Sequence, residues 1–210
     1  MFKKLTYRCL TMFSVVTLAS LQVPVSAQQI FTDSGAFDSA AGLVVVEDFE
    51  SSALGELSAG SNDIGRFDIF LDSVDTDGTT RIVDTGLVDG SREFQGDLDN
   101  GHNQLLRFDF DQAVFGFGAD FNAALTGDLL TLEINNSVFL LSDILGGNGT
   151  GFFGIISDES FDSVTFGREN PTDSGKFFSI DNVRFSGVPE PGSCLILGSL
   201  ALVVGSRRRR

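Results

Sequence analysis

Side chains able to do chemistry are unevenly spread along these 210 residues. Both cysteines, Cys9 and Cys194, lie close to an end, as do Met1, Met12 and the only tyrosine, Tyr7. Between residues 28 and 188 there is no Cys, Met, Tyr or Trp, which excludes disulfides and thiol chemistry from that stretch. His102 is the only histidine, so clustered-His zinc sites are excluded and a Ser-His-Asp triad has one candidate base. It follows the turn Asp99-Asn100-Gly101, and no Gly-x-Ser-x-Gly elbow accompanies it, so it reads as an ordinary loop residue. What remains is carboxylate: residues 28–188 hold 28 Asp and Glu against seven Lys and Arg, a net of 21 negative charges. That balance excludes nucleic acid, whose phosphates need Lys and Arg, and favours solubility and divalent cations.

Carboxylates support two chemistries. Glycoside hydrolysis needs a pair facing each other across a cleft, one of them in an apolar pocket. Most acidic residues here sit at turns or on outward strand positions, and Glu133 is the only strand-centred candidate, so the expectation is that the chain is not an enzyme. Calcium takes several oxygens from carboxylates and carbonyls. Asp75-x-Asp77-Gly78 and Asp97-x-Asp99-Asn100-Gly101 have spaced carboxylates and a glycine, but each lacks the Glu that closes a twelve-residue calcium loop. Turn formation accounts for both without a metal.

The elements that carry these residues are strands. From Gly42 onward apolar residues recur at every second position, and no stretch sustains the i, i+3, i+4 spacing of a long helix. Arg66–Asp72, Gln104–Phe110 and Ala113–Phe121 are the clearest cases. The last of them predicts Phe115, Phe117 and Phe121 on one face with Gly116, Gly118 and Asp120 on the other. Leu130, Leu132 and Ile134, and then Val164 and Phe166, alternate in the same way. Gly-, Asn- and Asp-rich turns at 75–78, 99–101, 126–128, 135–136, 146–149 and 170–173 divide the chain into about ten short strands. The expected fold is all-β, an antiparallel sandwich of jelly-roll type, with most of its 19 Phe between two sheets. Residues 28–41 and 53–62 are polar and small and are predicted as loops with room for a helical turn. Phe31, Phe37, Phe94, Phe152 and Phe153 fall outside the alternating runs, which makes Phe152-Phe153 the pair to present to a ligand.

Both ends have a different character. Lys3, Lys4 and Arg8, an interrupted apolar stretch from Leu10 to Leu21, and Val25-Ser26-Ala27 are the three regions of a secretory signal, to be cut by signal peptidase between Ala27 and Gln28. At the other end Pro189-Glu190-Pro191 precedes the 12-residue apolar run Cys194–Gly205 and the terminal Arg207 to Arg210. As a helix that run reaches only about 18 Å, at ~1.5 Å per residue, against a bilayer core of roughly 30 Å. Terminal arginines stay cytoplasmic and leave everything upstream outside. Proline-acid-proline, a short apolar helix and a basic terminus, in that order, closely resemble the PEP-CTERM sorting signal, also catalogued as the ice-binding protein C-terminal domain. The resemblance implies recognition by an exosortase near Pro189, Glu190 and Pro191, transient residence in the inner membrane through 194–205, and a Gram-negative host that makes exopolysaccharide; the alternative is a simple tail anchor that stays in the membrane. The chain thus divides into a signal peptide (1–27), a sandwich domain (28–186) and a sorting segment (187–210).

A second resemblance lies inside the domain. Glu47-Asp48-Phe49-Glu50 and Phe178-Ser-Ile-Asp-Asn-Val-Arg-Phe185 resemble the first and last strands of jelly-roll carbohydrate-binding modules. In those modules the two segments lie close together and help hold a structural calcium, which implies Glu50 and Asp181 as ligands; no other cofactor is called for. The combined expectation is an exported, non-catalytic protein of the cell surface or extracellular matrix, associated with exopolysaccharide. The rivals are a calcium-stabilised carbohydrate-binding module and, further off, a glycoside hydrolase.

Overall fold

The structure is a computed structural model that describes residues 28–72, 80–88, 90–98, 105–122, 130–147, 149–169 and 177–187. These residues form β1 (Gln28–Phe31), α1 (Ser34–Ala41), β2 (Val44–Glu47), β3 (Gly55–Glu56), β4 (Gly60–Asp63), β5 (Phe67–Leu71), β6 (Arg81–Asp84) and β7 (Arg92–Asp97). They continue with β8 (Leu106–Asn122), β9 (Leu130–Ile134), β10 (Ser137–Leu140), α2 (Leu141–Leu145), β11 (Gly151–Arg168) and β12 (Phe177–Gly187). The pairings are antiparallel, and the hydrogen-bonded network joins all twelve strands.

That network folds over on itself because β8 and β11 are long enough to serve two sheets. In the first sheet, 151–156 of β11 pairs with 116–121 of β8, β1 flanks β11, and β12 lies on the far side of β8. There β12 is flanked by β7 along 177–180 and by β2 along 183–186. In the second sheet, 106–109 of β8 pairs with 163–166 of β11, extended by β5 and β4 on one side and by β9 and β10 on the other. The corner between the sheets is marked by register shifts after Ile156 and Phe161 of β11 and by the exposed Asp111 and Gln112 of β8. Strands that change sheets do so through such irregularities.

The shift also reverses the side-chain phase of β8. Phe108 and Phe110 point into the core before the corner, and Phe117 and Phe121 after it, so the inward positions change from even to odd. Phe115 is caught in the transition, opposite no residue of β12 between the pairs Ser186↔Gly116 and Gly187↔Val114, and is half-buried instead of sharing the core face with Phe117. Sequence alternation carried Phe115 inward because it cannot register an extra residue.

Phenylalanine fills the space between the sheets. Phe94 on β7 packs edge-on against Phe108 at 5.4 Å between ring centroids, Phe166 stacks on Phe178 at 5.6 Å, and Phe67 meets Phe185 at 6.1 Å. Each of these pairs joins one sheet to the other. Every fully buried Phe contributes about 1.5–3 kcal/mol by removal from water alone.

The stretch 28–41, predicted as a loop with room for a helical turn, is more regular than that and forms β1 and α1. Asp33 caps α1 by accepting a hydrogen bond from Ala36 N–H at 2.8 Å. The helix covers the outer face of the first sheet, where Gly116, Gly118 and Gly154 leave a trough. A Cβ on Gly154 would lie 2.8 Å from both the Phe37 and Phe152 rings, and one on Gly118 2.7 Å from Phe152. Phe37 is fully buried there between Phe31 and Phe152, each 5.7 Å away. The second stretch predicted as a loop, 53–62, contains the short β3 and the start of β4.

Candidate functional site

The two segments that resemble carbohydrate-binding modules, far apart in sequence, meet in space. Phe49, just after β2, adopts a left-handed backbone (φ 57°) that sends its ring into the core, fully buried against Phe67 and Phe94. A bulky residue takes that conformation only when its surroundings impose it. With Phe49 turned inward, Glu50 emerges at the surface beside the β6–β7 loop. One carboxylate oxygen accepts hydrogen bonds from Ser91 N–H (2.7 Å) and Arg92 N–H (2.9 Å), and the other accepts one from the Ser91 hydroxyl (2.7 Å). Those donors hold the Glu50 carboxyl down to about 2: the Arg92 N–H weighs most, then the Ser91 N–H and hydroxyl. Its neighbour Glu47 goes the other way, pushed up by burial and only partly restrained by the Phe49 N–H that it accepts at 3.1 Å. The Arg92 guanidinium donates to the Glu50 and Ser52 carbonyls at 2.8 and 2.6 Å, which fixes the turn between β2 and β3.

Asp181 arrives from β12, buried and directly opposite Asp120 of β8. After it β12 bulges, with Asn182 at φ 50° donating its N–H to the Asp181 carboxylate at 2.6 Å. Gly90 joins the two carboxylates. Its backbone is also left-handed (φ 73°), and a Cβ placed on it would lie 2.8 Å from a Glu50 carboxylate oxygen and 3.8 Å from one of Asp181. Left-handed backbone therefore occurs in all three segments that converge here. Two carboxylates beside a bare glycine are the donor type that suits a cation taking oxygen ligands, and Glu50 and Asp181 would be its side-chain donors. Among the described residues no three His, Cys, Asp or Glu side chains gather, so carboxylates alone would not complete such a shell.

No family model matches the chain, and no curated protein matches it. One solved structure similar to it is the K2 cleaved adhesin domain of Lys-gingipain. That match covers 68% of this chain and 99% of that one at 15% identity, with a TM-score of 0.35.

The other residues singled out in the sequence have different fates. Phe152 and Phe153 are not at a loop surface: both lie on β11, Phe153 fully buried against Phe121 and Phe139, Phe152 under α1. Phe31, Phe37 and Phe94 are buried as well. Glycines on both sides of the pair hid the strand from the alternation pattern, and neither ring is available for sugar stacking. Glu133 is exposed on the outer face of the second sheet, opposite Thr165 and Val138. Asp97 is buried at the end of β7. Asp75, Asp77, Gly78, Asp99, Gly101, His102, Ala27 and Pro189-Glu190-Pro191 lie outside the described residues, whereas Gln28 opens β1 opposite Ser157. Among the described residues no helix is long and apolar enough to cross a membrane, and the run 194–205 lies outside them.

One constellation escaped the sequence reading. Glu93 on β7 is fully buried, and its carboxylate accepts from the Thr85 hydroxyl, from Leu87 N–H (2.9 Å), from Val88 N–H (3.1 Å) and from the Ser179 hydroxyl (2.9 Å). With Glu50 on one flank and Glu93 on the other, two carboxylates clasp the β6–β7 loop. The signal was present as a charged residue next to Phe94 in a strand buried on both faces, Arg92-Glu-Phe-Gln-Gly-Asp97.

Proposed function

We propose that this chain is an exported, non-catalytic component of the cell surface or extracellular matrix, associated with exopolysaccharide and locked by a structural calcium at Glu50 and Asp181. The observation that carries the reading is the convergence of Glu50 and Asp181 on Gly90, since that is what the resemblance to jelly-roll carbohydrate-binding modules requires of these two segments. Bound calcium would supply charge neutralisation between two carboxylates held close together. The chain's own contribution is to aim them, through the left-handed residues Phe49 and Asn182. Export and sorting rest on the terminal segments: the signal at 1–27, and the tail from Pro189 through the arginines, resembling an exosortase substrate.

The test follows the chain in its own host. The expected outcome is a species lacking residues 1–27 that fractionates with the exopolysaccharide, and that instead stays in the inner membrane with Arg207 to Arg210 intact when the exosortase is deleted. A chain that keeps its first 27 residues and remains in the cytoplasm would overturn the reading, as would a secreted form that never fractionates with polysaccharide.

A further inference from the structure

A cleft of about 410 Å3 opens at the rim of the first sheet, where β8 ends and β11 begins, and nothing above assigns it a role. Its size falls within the range of small-ligand sites, roughly 300–1,000 Å3. Leu87 and Val88 of the β6–β7 loop form one wall, and Asp120, Asn122, Thr150 and Arg184 supply the polar groups. We propose that this cleft binds a neutral sugar unit of a polysaccharide, an inference that rests on the exopolysaccharide reading above and names the site responsible.

Charge selects the ligand class. Among the described residues that line the cleft Arg184 is the one cation, and its guanidinium donates to the Asp120 carboxylate at 3.2 Å while approaching Asp38 at 3.6 Å. Its charge is thereby matched locally, and the surrounding domain carries 21 net negative charges, so an anionic ligand is repelled. A carboxylate that only accepts, a guanidinium that only donates, and an amide and a hydroxyl that do both suit the adjacent hydroxyls of a sugar. Leu87 keeps almost half its surface exposed, offering an apolar patch to the C–H face of a ring.

The cleft is also preorganised, which reduces the entropy lost on binding. Glu93 fixes the N–H groups of Leu87 and Val88, and the Asn122 amide donates to the Leu87 carbonyl at 3.2 Å, so the loop wall is tied to β7 and β8. Arg184 is steadied by the Asn182 carbonyl at 2.9 Å and by the Phe152 ring, 5.4 Å beneath it. A half-exposed apolar side chain on a loop with so many anchors suits a binding wall.

The experiment titrates the full chain with cellobiose, maltose, lactose and chitobiose, and with neutral oligosaccharides released from the host's exopolysaccharide, by calorimetry and ligand-observed NMR. At least one should bind. Asn122→Ala, and Thr150→Trp placed at the exposed rim so that folding is spared, should each weaken it about tenfold or more. Glu133→Ala, on the other sheet, should leave affinity unchanged. The inference is overturned if none of these saccharides binds, or if Asn122→Ala and Thr150→Trp bind as well as the parent. Matrix association that survives both substitutions would also overturn it while leaving the proposed function standing.

Discussion

Gly90 is where the smallest change should have the most legible effect. Its φ of 73° is costly for any residue with a Cβ, and its Cβ would meet a Glu50 oxygen at 2.8 Å. Gly147, just after α2, is also left-handed (φ 55°), but a methyl group there would have nothing within 4 Å. Both Gly→Ala changes carry the backbone penalty, about 1 kcal/mol, and only Gly90→Ala must also displace Glu50. Chemical denaturation should therefore show Gly90→Ala to be less stable than Gly147→Ala, and equal losses would mean that the Glu50 contact contributes nothing. The Glu50 carboxyl gives a second, independent reading. Its pKa is lowered on folding from the ordinary 4.5 to about 2, so its stabilising contribution is present above 4.5 and disappears as pH falls toward 2. Melting temperatures of parent and Glu50→Gln should differ by a constant amount above that window and converge inside it. A gap that persists unchanged down to the lower limit would contradict the hydrogen-bond assignment.

At the scale of elements, helix α1 shows how a fold can depend on a residue that sequence reading passes over. Its eight residues, Ser-Gly-Ala-Phe-Asp-Ser-Ala-Ala, contain one large apolar side chain, and periodicity cannot find an amphipathic face in a single Phe. What makes α1 a helix is its dock: the Asp33 cap, the glycine trough beneath Phe37, and Arg184 approaching Asp38. Gly116 and Gly118 of β8, which alternation placed on the face away from Phe117, form the receiving surface together with Gly154 of β11. Truncating Phe37 to Ala should cost about 3–5 kcal/mol if the trough cannot collapse. Because the main core lies on the other side of the sheet, the loss should be local. Hydrogen exchange should accelerate first through residues 28–41 and the adjoining 151–156 of β11, with β5 and β9 keeping their protection; uniform loss would mean that α1 is integral to the global unfolding unit. The strands themselves were far more legible, since β5, β9 and residues 163–166 of β11 follow their alternation residue by residue. Legibility failed at the corner of β8, where an inserted residue breaks the period, and at Phe152-Phe153, where glycine neighbours conceal a strand buried on both faces. Glu50 and Asp181 were singled out by likeness to known end strands, and the fold brings both beside Gly90. Gly90, which joins them, carries no sequence signal, because its role depends on a contact between distant segments.

For the whole molecule the dominant quantity is charge. Twenty-one net negative charges on a 161-residue stretch repel one another, and any added salt should relieve some of that repulsion. Sodium chloride is thus expected to raise the melting temperature of the parent, Glu50→Gln and Asp181→Asn by similar increments, since screening does not depend on one site. Calcium should behave differently if Glu50 and Asp181 hold it, because a ligand that binds only the folded chain adds stability by mass action, about 2.7 kcal/mol at a hundred times its dissociation constant. At matched ionic strength, calcium should therefore raise the parent's melting temperature beyond the sodium value, and a chelator should remove that excess alone. Both Glu50→Gln and Asp181→Asn should abolish the excess, whereas Glu133→Gln, an exposed carboxylate on the opposite sheet, should retain it. An excess of equal size in all four proteins would assign the effect to diffuse attraction between calcium and an acidic surface. The comparison separates a site from a surface because both carry the same kind of group, and among the described residues Glu50 and Asp181 are the two carboxylates aimed at one glycine.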